Sequence, residues 1–381
     1  MGHSRHLNLL EYEEAARQRL PRAIFEFISR GSQDGISYAG NREAFRQIHL
    51  TPRVLRDTSR RTPGCTVLGH SWSAPFGVAP MGAMGIAAFQ ADLAIARACR
   101  KEDIPFVLSG ASLVSLERVA AENPAAWFQM YPSEDHTANS KLLDRLKASG
   151  LGTLVVTADV PVPGNRENDV RNGYSSPLRP TPRLAADALL HPRWLLGTFS
   201  RTLLKEGLPH FENFPAGRAP MLGFQPVRSH RRDSLAWDWL KKVRDSWPGL
   251  LVLKGILAPE DAAEAASLGV DGVIASNHGG RQFDGAPPPV MAIPPMLSSL
   301  QGMAMMADSG FRRGSDVLKA VALGAAMTFV GRPFVYAAAV GGEEEVRRAI
   351  SLLKAEIDRD LALLGCQALP EVRHRLSRLV S

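Results

Sequence analysis

Residues 276–285, SNHGGRQFDG, place His278 and Arg281 three positions apart beside two glycines. Such glycines let the backbone pass close to a ligand, and the two side chains can then address one small molecule as base and anion-binding group. Asp159, just after an apolar run ending at Thr157, supplies a carboxylate that could orient the histidine as a general base. A second string, residues 307–334, carries Asp308, Gly310, Arg312, Gly314 and then Gly331-Arg332. Flexible amides and guanidiniums in that density suit a phosphate. Neither string is GxGxxG or a Walker loop, so a dinucleotide fold is not indicated.

Eight short β-type runs, at 76–79, 105–108, 127–130, 153–157, 251–254, 272–275, 303–307 and 328–330, are each followed by a helix-like stretch. Their starts lie 21 to 31 residues apart, the length of one βα unit, except for a single gap of 98 after the fourth. The expected fold is an α/β (β/α)8 TIM barrel with an N-terminal helical cap and a long insertion after strand four. Residues 1–74 form the cap, with one helix over 11–29; residues 75–381 form the barrel, 177–232 being the insertion; the whole is one domain. Active sites in this architecture sit at the C-terminal ends of the strands. Ser109, Gln129, Tyr131, Thr157, Asp159, Lys254, Ser276, Asp308 and Gly331-Arg332 all fall there.

With 45% hydrophobic and 22% charged residues among 381, the chain is globular in composition. Cys65, Cys99 and Cys366 show no CxxC or Cys/His spacing, so no disulfide framework or metal site is expected, and a reducing compartment is. The apolar run 321–340 is broken by Gly324, Gly331 and Arg332-Pro333 and reads as a strand followed by a helix start, not a membrane span. The first twenty residues lack the apolar core of a signal peptide. The net charge of +7 is concentrated: positions 177–232 hold nine Lys and Arg against three acids. Arg179, Arg183, Arg193, Arg201 and Lys205 are interleaved with leucines, Trp194 and Phe199. A segment this basic and apolar, yet too interrupted to span, suggests interfacial attachment through 177–215 to an anionic membrane surface. A loop folded over the site or against a neighbouring subunit is the alternative. No nucleic-acid recognition motif accompanies the charge.

SNHGGRQ, DSGFRRGSD with GRP after it, WFQMY, VTADVPVPGNRE and VLKG together resemble the FMN-dependent L-2-hydroxy acid oxidases and dehydrogenases, in order over nearly the whole chain. LSGASLVS and LRPTPRLAADALLHPRW are most similar to the mandelate-type members. The resemblance implies that His278 is the active-site base and that Asp159 stabilises its imidazolium. Arg166 and Arg281 would hold the substrate carboxylate, and Tyr131 would bind near the substrate hydroxyl. Pro80, Met81, Gly82, Ser109, Gln129 and Thr157 would line the isoalloxazine ring of FMN, with Lys254 at its N1/O2 side and Ser276 nearby. Asp308, Gly310, Arg312, Gly331 and Arg332 would bind ribityl and phosphate. Electrons would leave to a quinone or another carrier, in a homotetramer peripheral to the cytoplasmic side of the inner membrane.

Three positions depart from the wider family pattern. Much of the family has a carboxylate-binding tyrosine where this chain has Phe27, which forgoes a hydrogen bond of roughly 0.5–1.5 kcal/mol. Ala111 replaces a tryptophan of glycolate oxidase-like members and leaves room for a phenyl group, favouring an aromatic 2-hydroxy acid such as (S)-mandelate. Gly82 stands where oxidases commonly have alanine, favouring a dehydrogenase over an oxygen-using oxidase of lactate, glycolate or hydroxymandelate. Read without the resemblance, Lys254 also fits a Schiff-base aldolase barrel, and the net charge fits a non-enzymatic binding protein.

Overall fold

The computed structural model describes residues 6–223 and 232–379. At its centre are eight strands: β1 (Phe76–Val78), β2 (Val107–Ser109), β3 (Trp127–Met130), β4 (Thr153–Thr157), β5 (Leu250–Ile256), β6 (Gly272–Ala275), β7 (Ala304–Ala307) and β8 (Met327–Val330). From β2 to β8 each pairs in parallel with the next, β4 joining β5 across the insertion, and β8 pairs with β1. The ring closes where Val78 bridges Phe106 and the Val78 N–H donates to the Pro105 carbonyl at 2.8 Å. A closed ring leaves no unpaired edge.

The period of two along each strand explains where the chemistry sits. Val107, Trp127, Val155, Val252, Ile274, Met306 and Phe329 point into the barrel and fill it. Leu108, Phe128, Val156, Leu253, Val273, Met305 and Val330 point outward to the helical shell. Two residues beyond each inward side chain stand Ser109, Gln129, Thr157, Lys254, Ser276, Asp308 and Gly331. The apolar rows thus end in a polar layer at the C-terminal mouth. The opposite end is plugged by Val67 and Trp72 of the Cys65–Val67/His70–Trp72 hairpin.

The expected single helix over 11–29 is two, Leu9–Arg19 and Arg22–Ser29. Pro21 has no N–H to donate and forces Leu20 into an extended conformation at φ −89°, ψ 142°. The break redirects the second helix so that Phe27 and Ile28 reach the barrel mouth. The strand Ile48–Leu50 then pairs antiparallel with Leu376–Leu379 and ties the two chain ends together.

The insertion divides into two parts. Helices Pro182–Leu189, Pro192–Trp194 and Arg201–Glu206 lie on the flank, where the Trp194 indole donates to the Ile86 carbonyl at 2.7 Å and Arg118 clasps Glu206 at 2.8 and 3.2 Å. Residues 209–222 turn back over the mouth, burying Phe211, Met221 and Asn213. Asn213 accepts from the Leu116 N–H and donates to the Val114 carbonyl. Residues 224–231, with Arg228 and Arg231 of the basic cluster, lie outside the described residues. Among the described residues no helix is long and apolar enough to cross a membrane.

Candidate active site

One cavity occupies the barrel mouth. Its wall includes Phe27, Pro80, Met81, Gly82, Gln129, Tyr131, Thr157, Arg166, Lys254, His278, Arg281, Asp308, Gly310, Arg312, Gly331 and Arg332. Three expected residues stand one layer behind. Asp159 bonds His278, the Ser109 hydroxyl donates to Gln129 Oε1 at 3.1 Å, and Ser276 Oγ accepts from Lys254 Nζ at 2.7 Å and from the His278 N–H at 3.0 Å.

His278 follows β6 in a left-handed run: φ is +58° at His278, +68° at Gly279 and +75° at Gly280. A non-glycine residue held there carries strain of about 1–3 kcal/mol. Ser276 and Asn277 over-determine the turn, the latter through a Gly280 N–H bond at 3.1 Å and a reciprocal amide pair with Asn41 of the cap. His278 Nδ1 lies 3.1 Å from Asp159 Oδ1, so Nε2 is the nitrogen left for a ligand. Asp159 fits because Gly255, at φ +104°, has no Cβ; one built there would stand 2.6 Å from the Asp159 Cβ.

Burial pushes the His278 pKa below its ordinary value near 6.5, and Lys254 and Arg166 push the same way against the Asp159 carboxylate. Burial alone would raise Asp159, but His278 and Lys254 outweigh it and hold the carboxyl below its usual range. The pair is therefore a neutral imidazole beside an anion at neutral pH. Activity that needs this base should fall only as pH drops through a value below about 6.5. Asp159→Asn removes the one interaction that raises the imidazole pKa, so the acid limb of kcat/KM should move to lower pH. The plateau should fall at least roughly tenfold as the ring loses its orienting partner. A pH profile of both proteins checks both parts.

Lys254 is 3% exposed and lies 3.1 Å from Asp308 Oδ2. Burial opposes its charge, but Asp308 and Asp159 prevail and raise its pKa. A fully charged ammonium is no Schiff-base nucleophile, and the aldolase alternative loses its lysine. Arg281 spans the Phe27 ring at 4.8 Å and donates to the Phe27 and Arg30 carbonyls. Burial, with Arg166 and Arg332 nearby, pushes it down to about 9. Arg166 makes only long bonds, 3.3 Å each, to the Arg281 carbonyl and Gln282 Oε1. Two guanidiniums crowded on one wall of the cavity suit an anion.

The residues also fit FMN. Gln129 spends its Oε1 on Ser109 and the Gly110 N–H, while its buried Nε2 has no partner among the described residues and can donate to a ligand. Around the mouth, Arg312 and Arg332 are nearly buried, and the helix that begins at Arg332 and breaks at Gly341-Gly342 starts from Gly331 without a side-chain cap. An uncapped helix N-terminus with guanidiniums nearby suits a phosphate. The opposite part of the cavity is apolar and aromatic: Ala83, Ala111, Tyr174, Phe211 and Phe214. Of these only Ala111 is legible in the sequence. Phe211 and Phe214 are brought in by the return of residues 209–222 over the mouth, and Tyr174 by the turn after the short Glu167–Arg171 helix; none of the three lies in a periodic run.

Residues 16–378 match a family model described as FMN-dependent dehydrogenase. The chain is 39% identical over 362 residues to (S)-mandelate dehydrogenase of Pseudomonas putida, covering 94% of this chain and 90% of that one. It is 37% identical over 372 residues to a putative L-lactate dehydrogenase of Mycobacterium tuberculosis, with coverage of 97% and 88%. Its structure matches the crystal structure of the monotopic membrane protein (S)-mandelate dehydrogenase with a TM-score of 0.89 at 35% identity, over 98% and 100% of the chains. The crystal structure of mandelate oxidase with (S)-2-phenylpropionate matches at a TM-score of 0.80 and 33% identity, over 98% of each chain. The match over nearly the whole length makes this chain a member of the FMN-dependent dehydrogenase family.

Proposed function

We propose that the protein oxidises an aromatic L-2-hydroxy acid, (S)-mandelate or a near relative, to the 2-keto acid. The observation that carries this reading is the His278–Asp159 pair on the same cavity as the Arg166/Arg281 clamp and an apolar wall with Ala111 at its base. The guanidiniums take the carboxylate bidentately and fix the substrate, turning an encounter into an oriented complex. The phenyl group lies against Ala111, Phe211 and Phe214, and Tyr131 bonds near the hydroxyl. His278 Nε2 accepts a proton from the substrate, and Asp159 stabilises the resulting imidazolium.

FMN, when bound, supplies the two-electron acceptor. Pro80, Met81, Gly82, Gln129, Thr157 and Lys254 hold its ring, with Ser109 and Ser276 behind them. Asp308, Gly310, Arg312, Gly331 and Arg332 hold ribityl and phosphate. The Lys254 ammonium stands ready for negative charge near N1. The purified protein should be yellow and should bleach anaerobically with (S)-mandelate, with benzoylformate as product. A colourless protein, or one bleached by lactate or glycolate but not by (S)-mandelate, overturns the reading.

The electron acceptor in this proposal is a quinone or another carrier, and the protein is a homotetramer peripheral to the cytoplasmic side of the inner membrane. The relative of TM-score 0.89 is a monotopic membrane protein. On the insertion Leu189, Leu190, Leu196 and Leu204 are 68–84% exposed beside Arg179, Arg183, Arg193 and Lys205, which are exposed as well. Apolar side chains within a basic rim suit an anionic bilayer surface. Deleting the segment is a poor test, because Phe211 and Asn213 would go with it. Changing the four leucines to serine removes several kcal/mol of burial on binding, on the order of 1.5 kcal/mol or more for each. Flotation with phosphatidylglycerol vesicles should drop at least roughly 10²-fold while anaerobic bleaching persists; unchanged flotation counts against attachment here.

A further inference from the structure

Phe27 leaves the carboxylate clamp without a hydroxyl. Its ring answers Arg281 with a π-face but has no proton to give a carboxylate. That ring is stacked on another: Tyr174 lies with its centroid 4.0 Å from that of Phe27 and the planes 18° apart. The chain reaches this point by a short route. Arg166 caps the Glu167–Arg171 helix, which stops at Asn172; Gly173 then turns the chain at φ +73°, and the Tyr174 N–H closes the turn on the Asp169 carbonyl at 2.8 Å. One turn and a half of helix thus delivers Arg166 from its front and Tyr174 from its back to the same cavity wall.

Tyr174 is 7% exposed and lines the cavity, and its hydroxyl has no hydrogen-bond partner among the described residues. The charges it faces are Asp169, Arg281 and Arg166. The oxygen opens on the cavity rather than being sealed in the core, so a ligand that accepts its proton can reach it. We propose that the Tyr174 hydroxyl is a substrate-binding donor that gives the carboxylate, one ring away, the hydrogen bond that position 27 lacks. Burial first, and Asp169 second, raise the phenol pKa well above its ordinary value, so it holds its proton across the working range. The aromatic stack also keeps the phenol rigid, since neither ring can turn without displacing the other. This inference rests on the 2-hydroxy acid reading above.

Tyr174→Phe keeps the ring and the stack and removes only the oxygen. In anaerobic stopped-flow reduction of the FMN-loaded protein by (S)-mandelate, the half-saturation should rise on the order of tenfold, one charge-assisted bond, with the limiting rate within about threefold. The exchange Phe27→Tyr/Tyr174→Phe should restore most of the affinity, which a merely structural tyrosine would not allow. Titration with benzoylformate, read from the flavin absorbance, reports the same bond without turnover. Half-saturation and benzoylformate affinity within twofold of the parent protein, or an exchange variant no better than Tyr174→Phe, overturns the proposal. If the parent is not reduced by any 2-hydroxy acid while the tenfold benzoylformate difference stands, the functional reading fails and the Tyr174 assignment survives.

Discussion

His278→Ala is expected to bind FMN as the parent does and to be reduced by (S)-mandelate roughly 10²–10⁴ times more slowly, the usual worth of a positioned base. The loss should be confined to chemistry. The side chain is 19% exposed and, among the described residues, its one side-chain bond is to Asp159, so little packing goes with it. The left-handed backbone is held by Ser276, Asn277 and the glycines that follow, and alanine inherits the same strain. The flavin contacts proposed for Gln129, Lys254 and the phosphate cradle lie on other strands. Asp159 loses its hydrogen bond to the imidazole but keeps the Lys254 ammonium nearby, which limits the cost of the orphaned carboxylate. Flavin content by absorbance and reduction by anaerobic stopped flow separate binding from chemistry; a rate within twofold of the parent would remove His278 from the role of base.

Arg166→Met should lower kcat/KM for (S)-mandelate roughly 10²–10³-fold, as expected when one side of a buried charge pair is removed from its partner. Its two 3.3 Å bonds are weak, so the guanidinium is free for the substrate and the fold loses little without it. The same change has a second consequence of opposite sign. Arg281 is pushed down to about 9 by burial, by Arg166 and by Arg332, so without an anion the clamp is a site of like-charge repulsion. Removing Arg166 relieves part of it, and Tm of the substrate-free protein should rise slightly while activity collapses. Mandelamide, which brings no negative charge, should lose much less than mandelate. Equal losses for acid and amide would mean that Arg166 does not read the carboxylate.

How much of this is legible in the sequence is decided by periodicity. Strands at 127–130, 153–157 and 272–275 are placed to the residue, because a parallel barrel strand buried on both faces is a continuous apolar run with sharp ends. The same rule locates Lys254 and Asp308, each the inward residue two beyond an apolar one, and with them the cofactor side of the mouth. The expected single N-terminal helix fails at Pro21, where the apolar period continues across a residue that cannot continue the helix. Composition over 177–232 captures the exposed leucines and arginines but not the second half of the insertion, which folds over the mouth.

The sequence by itself therefore determined the barrel and the polar layer at its C-terminal end, and it offered the candidates for base, clamp and phosphate loop. These depend on local alternation and on short strings whose backbone conformation glycine dictates. Only the tertiary structure decided which side chains stand behind others, as Asp159, Ser109 and Ser276 do, and that Phe27 meets Tyr174 across 147 residues of chain. Contacts of that kind follow from ring closure and from an aperiodic loop settling on the mouth, and no local pattern encodes the distance between two segments that meet only when the barrel is complete.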